Sequence, residues 1–252
     1  MSQAQETHSK TRRKIALVTG AGARVGQAIA VELARAKFHV CLHYHQNKSG
    51  AQDTQKYIED LGGTAQLFQA DLRQASACQD LIRQVSLAVE HLDLLVNNAS
   101  LFSPVAFEQL DLTVWQEMFS LNLQAPFLLS QGFLNHLKQA QGLIINLCDI
   151  GAERPLRGYA HYSSSKAGLI GLTRALAVEL APAVRCVGIS PGQVAWPPGY
   201  TNAQREKLAE RIPMKKGGTP EDIAKLVRFI MLDAPYINGA IIPVDGGLSC
   251  RY

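Results

Sequence analysis

Tyr162 and Lys166 stand four residues apart. On a helix that spacing stacks the two side chains on one face. An ammonium beside a phenol favours the phenolate, so the pair predicts a tyrosine pKa lowered from about 10 towards neutrality. A phenol tuned in this way gives or takes a proton. Ser163, Ser164, Ser165, Ala167 and Gly168 surround the pair with small side chains, which let a flat ligand approach. Asp149 lies thirteen residues before Tyr162, at the end of the apolar run 143–148. A buried strand ending there delivers Asp149 to the rim of a sheet, near the start of the Tyr162 helix. A carboxylate at that place could instead cap the turn at Gly151.

The elements that must hold these residues alternate along the chain. Short apolar runs at 15–18, 38–42, 65–70, 92–96, 143–148, 184–189 and 240–244 read as buried strands. Helical patterns fill the intervals: one through Val31, Leu33 and Ala34, then 51–61, 75–89, 110–122, 126–139, 159–180 and 220–232. Such alternation predicts a seven-stranded α/β fold of the Rossmann type, a doubly wound parallel sheet with helices on both faces. Pro197-Pro198-Gly199 and Lys216-Gly217-Gly218 bracket a polar segment, read as a mobile lid over about 193–218. No composition shift marks a second domain. The expected organisation is a basic tail at 1–13 and a single domain at 14–252.

A glycine-rich turn between the first strand and first helix is where a doubly wound fold holds pyrophosphate. Gly20, Gly22 and Gly26 suit that turn, although their spacing is not the strict fingerprint. Arg24 interrupts the glycines. It reads either as a surface arginine or as a guanidinium for phosphate oxygens or a ligand carbonyl. A carboxylate at the end of strand two would hold free ribose hydroxyls and repel a 2′-phosphate. Here Tyr44-His45-Gln46-Asn47-Lys48 has none, which favours NADP(H) over NAD(H). Asp71, after strand three, is placed to accept from the adenine amino group or to cap the next helix.

The 252 residues are 47% apolar and 18% charged, ordinary for a globular protein. No apolar run approaches the ~20 residues that span a bilayer. The polar start lacks a signal-peptide pattern. Cys41, Cys78, Cys148, Cys186 and Cys250 lack metal-like spacing and read as buried, reduced thiols, consistent with cytoplasm. Part of the net charge of +4 sits in Lys10, Arg12, Arg13 and Lys14. No nucleic-acid motif accompanies them, so the expectation is a solvated tail, with no nucleic-acid, membrane or metal partner.

Seven motifs in order carry a resemblance to the short-chain dehydrogenase/reductase family over roughly residues 14–250. They are Thr19-Gly20-x-x-x-Arg24-x-Gly26, Asp71-Leu72, Asn97-Asn98-Ala99, Asn122, Tyr162-x-x-x-Lys166, Ser190-Pro191-Gly192 and Val244-Asp245-Gly246-Gly247. Most members carry glycine where Arg24 stands and serine where Asp149 stands. The two departures, with Leu42-His43-Tyr44-His45 and Asn98-Ala99-Ser100-x-Phe102, resemble the pteridine reductase branch. That resemblance implies a catalytic set of Asp149, Tyr162, Lys166 and Asn122. Tyr162 donates the proton, Asp149 assists it, Lys166 tunes Tyr162 and binds the nicotinamide ribose, and Asn122 supports Lys166 through water. It implies that Arg24, Ser100, Phe102, Asp149 and Tyr162 line the substrate, with Phe102 sandwiching the pterin against the nicotinamide. It places NADPH on Gly20, Arg24, Val25, Gly26, Tyr44, His45, Gln46, Asn47, Asp71, Leu72, Asn98, Ala99, Ser100, Tyr162, Lys166, Pro191, Gly192 and Val194. Where the branch often carries arginine and serine for the 2′-phosphate, this chain has Gln46 and Asn47. Members are usually homotetramers built partly on the Tyr162 helix. In pteridine reductases the C-terminus, here Ser249 to Tyr252, reaches a neighbouring site.

Chemistry bears on the same choice. Reducing a ketone develops an alkoxide, which a neutral hydroxyl stabilises and an ionised carboxylate repels. Reducing a C=N bond puts a proton on nitrogen, and a carboxyl group beside tyrosine suits that delivery. The reading is therefore an NADPH-dependent reductase of dihydropterins, of the dihydrobiopterin, dihydromonapterin or dihydrofolate type. The alternatives are a carbonyl reductase of a ketone such as a 3-oxoacyl thioester, and a non-catalytic dinucleotide-binding protein.

Overall fold

The computed structural model describes residues 12–196 and 201–251. Most of the expected basic tail, Pro197-Pro198-Gly199 of the lid, and Tyr252 lie outside the described residues. Seven parallel strands form one sheet in the order β3-β2-β1-β4-β5-β6-β7. They are β1 (Ile15–Val18), β2 (His39–Tyr44), β3 (Thr64–Gln69), β4 (Leu94–Asn97), β5 (Leu143–Leu147), β6 (Arg185–Pro191) and β7 (Ile241–Val244). Every residue of β4 and β5 is buried, as a central parallel strand covered by helices on both faces requires. β7 is the half-buried edge and accommodates Pro243, which has no N–H to donate.

The strand order reverses between β1 and β4, where Val18 pairs with Val96. Ligands of doubly wound sheets bind outside the carboxyl ends at such a switch point. The glycine turn leaves β1 there and Asn98-Ala99 leave β4. One step further, Asn97 pairs with Asn146, so β5 delivers Asp149 to the same rim. Helix α1 (Arg24–Arg35) starts from the glycine turn. Helices α2 (Lys48–Asp60) and α3 (Ala75–Ala88) follow β2 and β3.

The segment expected as two helices is a nearly continuous rod. α4 (Leu112–Phe119) passes through a π-turn at Ser120–Gln124 into α5 (Ala125–Gly132), with α6 (Leu134–Ala140) behind it. A π-turn inserts a residue into the helical ladder and is frequent at functional sites; here it contains Asn122. Helix α7 (Ala160–Glu179) carries Tyr162 and Lys166. The segment read as a lid contains α8 (Asn202–Ala209), a helix the polar composition did not predict, opened by a Thr201/Gln204 capping box. α9 (Pro220–Leu232) closes the far side against α1.

Two sequence expectations change at this level. Arg12 and Arg13 are docked: Arg12 donates to buried Asp93 at 2.9 Å and Arg13 to Thr64 at 3.1 Å. Cys41, Cys78, Cys148 and Cys186 are buried thiols, but Cys250 is exposed. Among the described residues, no helix is long and apolar enough to cross a membrane and no group of side chains could hold a metal ion.

Candidate active site

Asp149 ends β5 as the N-cap of a short 3-10 turn (Ile150–Ala152). One carboxylate oxygen accepts from the Gly151 N–H at 2.6 Å. The other accepts from the Tyr162 hydroxyl at 2.7 Å. Both sequence readings of Asp149 therefore hold at once, a turn cap and a partner of the tyrosine. Burial raises the Asp149 pKa above the ordinary carboxylate value, against the pull of Gly151, Tyr162 and Lys166.

The expected lowering of the Tyr162 pKa is not met. Burial, then the charge and hydrogen bond of Asp149, push the phenol well above its ordinary value. Lys166 lies on the same helix face, with Nζ 5.9 Å from the Tyr162 ring centre. Its ammonium donates to the Leu147 carbonyl at 2.7 Å, and burial lowers its pKa. The arrangement keeps Tyr162 protonated, as a proton donor rather than a resting phenolate. Asn122 binds neighbours directly. It accepts from the Leu101 N–H at 2.9 Å and the Ser100 hydroxyl at 3.1 Å, and donates to Ser165 at 3.1 Å. It thus ties the loop after β4 to α7, and Lys166 is not among these partners.

Phe102 is half exposed, and it packs on aromatic rings. Its ring stacks on Tyr159 at 4.5 Å between centroids and meets Tyr162 nearly perpendicularly at 4.8 Å. Tyr159 was not singled out from the sequence, although it lies three residues before Tyr162, a spacing that brings helical side chains together.

The turn after β1 is built for close backbone approach. Gly20 has φ 66°, and a Cβ on Gly26 would run into the Gly20 carbonyl oxygen. Thr19 accepts from the Asn98 and Ala99 N–H groups, each at 2.9 Å, and Asn98 donates to the Thr19 carbonyl at 2.8 Å. No side chain caps α1, so its first N–H groups keep their capacity for an external acceptor. These features fit a dinucleotide pyrophosphate over Gly20, Arg24, Val25 and Gly26. Gly192 bonds to β7 through the Val244 carbonyl at 3.0 Å, which places Pro191 and Val194 on the same rim.

His43, which entered the sequence reading only as part of the Leu42-His43-Tyr44-His45 motif, is a structural member of this site. Its Nδ1 accepts from the Gly20 N–H at 3.2 Å, and its Nε2 lies 3.1 Å from the Ala70 carbonyl. The two partners require a neutral ring with the proton on Nε2. Burial lowers its pKa to about 4.

At the adenosine end two of the expected cofactor residues have partners within the chain. Asn47 caps α2 through Gly50 and donates to the Gly22 carbonyl at 2.9 Å. Its amide thereby braces the glycine turn. Asp71 does not cap α3, whose N-cap is Gln74. Instead the Arg73 fork grips it at 2.9 and 2.7 Å, and the Arg73 hydrogen bond lowers the Asp71 pKa. The carboxylate proposed for adenine is thus already paired. His45 stands 3.7 Å from Asp71; Tyr44 and Leu72 are buried beneath it and Gln46 is exposed.

Arg24 has φ 52° and donates to the Ala195 carbonyl at 2.9 Å. It lines a cleft of about 500 Å³ with Val194, Trp196 and Arg205. Arg251 has partners within its own chain. Arg154 donates to the Arg251 carbonyl at 2.8 Å, and Arg251 to the Arg211 carbonyl at 2.9 Å.

Residues 20–249 match the family described as enoyl-(acyl carrier protein) reductase. A 3-oxoacyl-[acyl-carrier-protein] reductase of Synechocystis sp. is 34% identical over 93% of this chain and 96% of its own length. Glucose 1-dehydrogenase 2 of Bacillus subtilis is 32% identical over 94% of this chain and 95% of its own. Among solved structures, a short-chain dehydrogenase/reductase variant from Serratia marcescens superposes with a TM-score of 0.88 at 31% identity, covering 94% of this chain and 98% of that one. Acetoin dehydrogenase from Enterobacter cloacae does so with a TM-score of 0.89 at 28% identity, covering 96% and 98%.

Proposed function

The chain belongs to the short-chain dehydrogenase/reductase family of oxidoreductases, and on that premise we propose that it is an NADPH-dependent reductase of dihydropterins. The observation that carries this reading is the Asp149 carboxylate 2.7 Å from the Tyr162 hydroxyl. A reduced nicotinamide, when bound, supplies hydride to carbon. Tyr162 gives its proton to the atom beside that carbon, and Lys166 binds the ribose. A carboxylate facing a developing alkoxide is unfavourable, whereas a carboxyl group that resupplies Tyr162 suits a nitrogen gaining a proton. The raised Asp149 pKa supports the second role, because burial makes the carboxyl easier to protonate. The exposed Phe102 ring, backed by Tyr159, supports a flat heteroaromatic substrate.

The activities of the relatives favour a second reading, a carbonyl reductase acting on a ketone such as a 3-oxoacyl thioester. Both readings use the same dinucleotide site and the same proton donor. A homotetramer fits either: the α7 face bearing Gly168 and Leu172 lines an open apolar groove with Phe119, Leu123 and Phe127.

The deciding assay follows NADPH oxidation with 7,8-dihydrobiopterin and an acetoacetyl thioester side by side, with Tyr162→Phe as the blank. We expect pterin-dependent turnover that disappears in Tyr162→Phe. Turnover on the thioester alone replaces the pterin reading with the carbonyl one. NADPH binding without turnover on either leaves the dinucleotide-binding alternative.

A further inference from the structure

We infer that Arg205 of the lid helix and Arg24 of the glycine turn form a two-arginine clamp that holds an anionic group of a bound ligand. Both residues line the cleft of about 500 Å³, Arg24 from the start of α1 and Arg205 from α8. Among the described residues, neither guanidinium is in an ion pair with a carboxylate. Of the two acidic residues in the first turn of α9, Asp222 is committed to the Thr219 N–H at 2.8 Å, and Glu221 is exposed and in no ion pair with either arginine. The other walls named, Val194 and Trp196, carry no charge. Two unpaired cations lining one apolar-walled cleft repel each other, and an anion between them reverses that term.

The Arg24 side chain and the Arg205 backbone are each anchored. Arg24 adopts φ 52°, a left-handed conformation that a non-glycine residue takes at a cost, and its guanidinium is tethered to the Ala195 carbonyl at 2.9 Å. Arg205 sits in the first turn of α8, where the Thr201/Gln204 box fixes the helix start and the Arg205 N–H bonds to Thr201 at 3.0 Å. A guanidinium fork matches phosphate and carboxylate oxygens alike. Two sources of that chemistry reach this cleft, the diphosphate of the dinucleotide and a carboxylate on the substrate. The proposal rests on the dinucleotide reading for the first source and on the pterin reading for the second.

The test compares Arg205→Ala and Arg205→Lys with the parent protein. One arm measures NADPH affinity by nucleotide fluorescence, with reduced nicotinamide mononucleotide, which lacks the diphosphate, as the control ligand. The other arm measures KM at saturating NADPH for dihydrofolate, which carries carboxylates, and for dihydrobiopterin, which carries none. If the diphosphate is held, Arg205→Ala weakens NADPH about tenfold and spares the mononucleotide, and Arg205→Lys restores part of the loss. If a substrate carboxylate is held, NADPH affinity stays and the dihydrofolate KM alone rises about tenfold. The clamp is refuted when Arg205→Ala moves none of these by more than about twofold. It is equally refuted when every ligand weakens together with a lowered Tm, since that marks a structural arginine. Parent protein that fails to bind NADPH would overturn the dinucleotide reading itself, an outcome distinct from both.

Discussion

Replacing Asp149 with serine separates the two substrate readings, and the structure sets the size of the effect. The substitution removes the 2.7 Å hydrogen bond from the Tyr162 hydroxyl to a carboxylate, a charged acceptor. Such bonds contribute about 1.5–3 kcal/mol. At about 1.4 kcal/mol per factor of ten, pterin kcat/KM falls roughly 10- to 150-fold if the contact acts in proton delivery. Ketone turnover should hold or rise, because a neutral hydroxyl now faces the developing alkoxide. The pH profile gives a second readout. Burial raises the Asp149 pKa above its ordinary 3.8, so pterin turnover declines as pH rises through that raised value. Asp149→Ser should flatten this limb. Stability changes with pH in the same direction. A carboxyl whose folded pKa is raised binds its proton more tightly in the fold, so its stabilisation is lost as pH rises from the unfolded to the folded pKa. Serine lacks that penalty, and the Tm at pH 7–8 should hold or increase. Steady-state kinetics on both substrates, with a pH series and thermal melts, make the measurement. Pterin turnover within twofold of the parent protein, with an unchanged pH limb, would refute the argument and leave Asp149 as a turn cap.

Two further perturbations test the dinucleotide site. His43 is held neutral with a pKa of about 4 instead of 6.5, by burial first and by His45, against the pull of the Ala70 carbonyl and Asp71. Its stabilisation, roughly 3 kcal/mol from the size of that shift, is present above pH 6.5 and is lost as pH falls towards 4. Urea midpoints at pH 7 and 4.5 should converge in His43→Gln, and an undiminished pH difference in that variant would count against the assignment. Gly26→Ala drives a methyl into the Gly20 carbonyl and to 2.6 Å from the Asn98 amide, neither of which can yield cheaply. Overpacking of that kind costs about 1–3 kcal/mol. NADPH affinity should fall at least tenfold, and NADPH should no longer raise the Tm; parent-like binding would show that the turn does not approach the cofactor.

The order of strands and the rim where they end were legible because buried parallel strands write themselves as short apolar runs, and chemistry follows where each run stops. Asp149, Asn98 and Gly20 were found in that way, and the structure brings them to one edge. Helix α8 was missed because its composition is polar throughout; its one sequence signal was Thr201-x-x-Gln204, a capping box with no apolar run behind it. Commitments of side chains were less visible still. Nothing in the order of residues shows that Asn47 spends its amide on Gly22 or that Arg73 occupies Asp71. The largest change concerns Tyr162. Its spacing from Lys166 correctly predicts neighbours, but the effect on pKa depends on burial, which spacing does not encode. Lys166 is aimed at the Leu147 carbonyl, and the closer charge on Tyr162 is the acid. The sign of the shift therefore reverses. A phenol held protonated beside a carboxyl is poised to give up a proton only when a base forms in front of it. Hydride arriving at a C=N bond creates such a base at nitrogen, and that is why the inverted pKa strengthens the case for reduction rather than oxidation at this site.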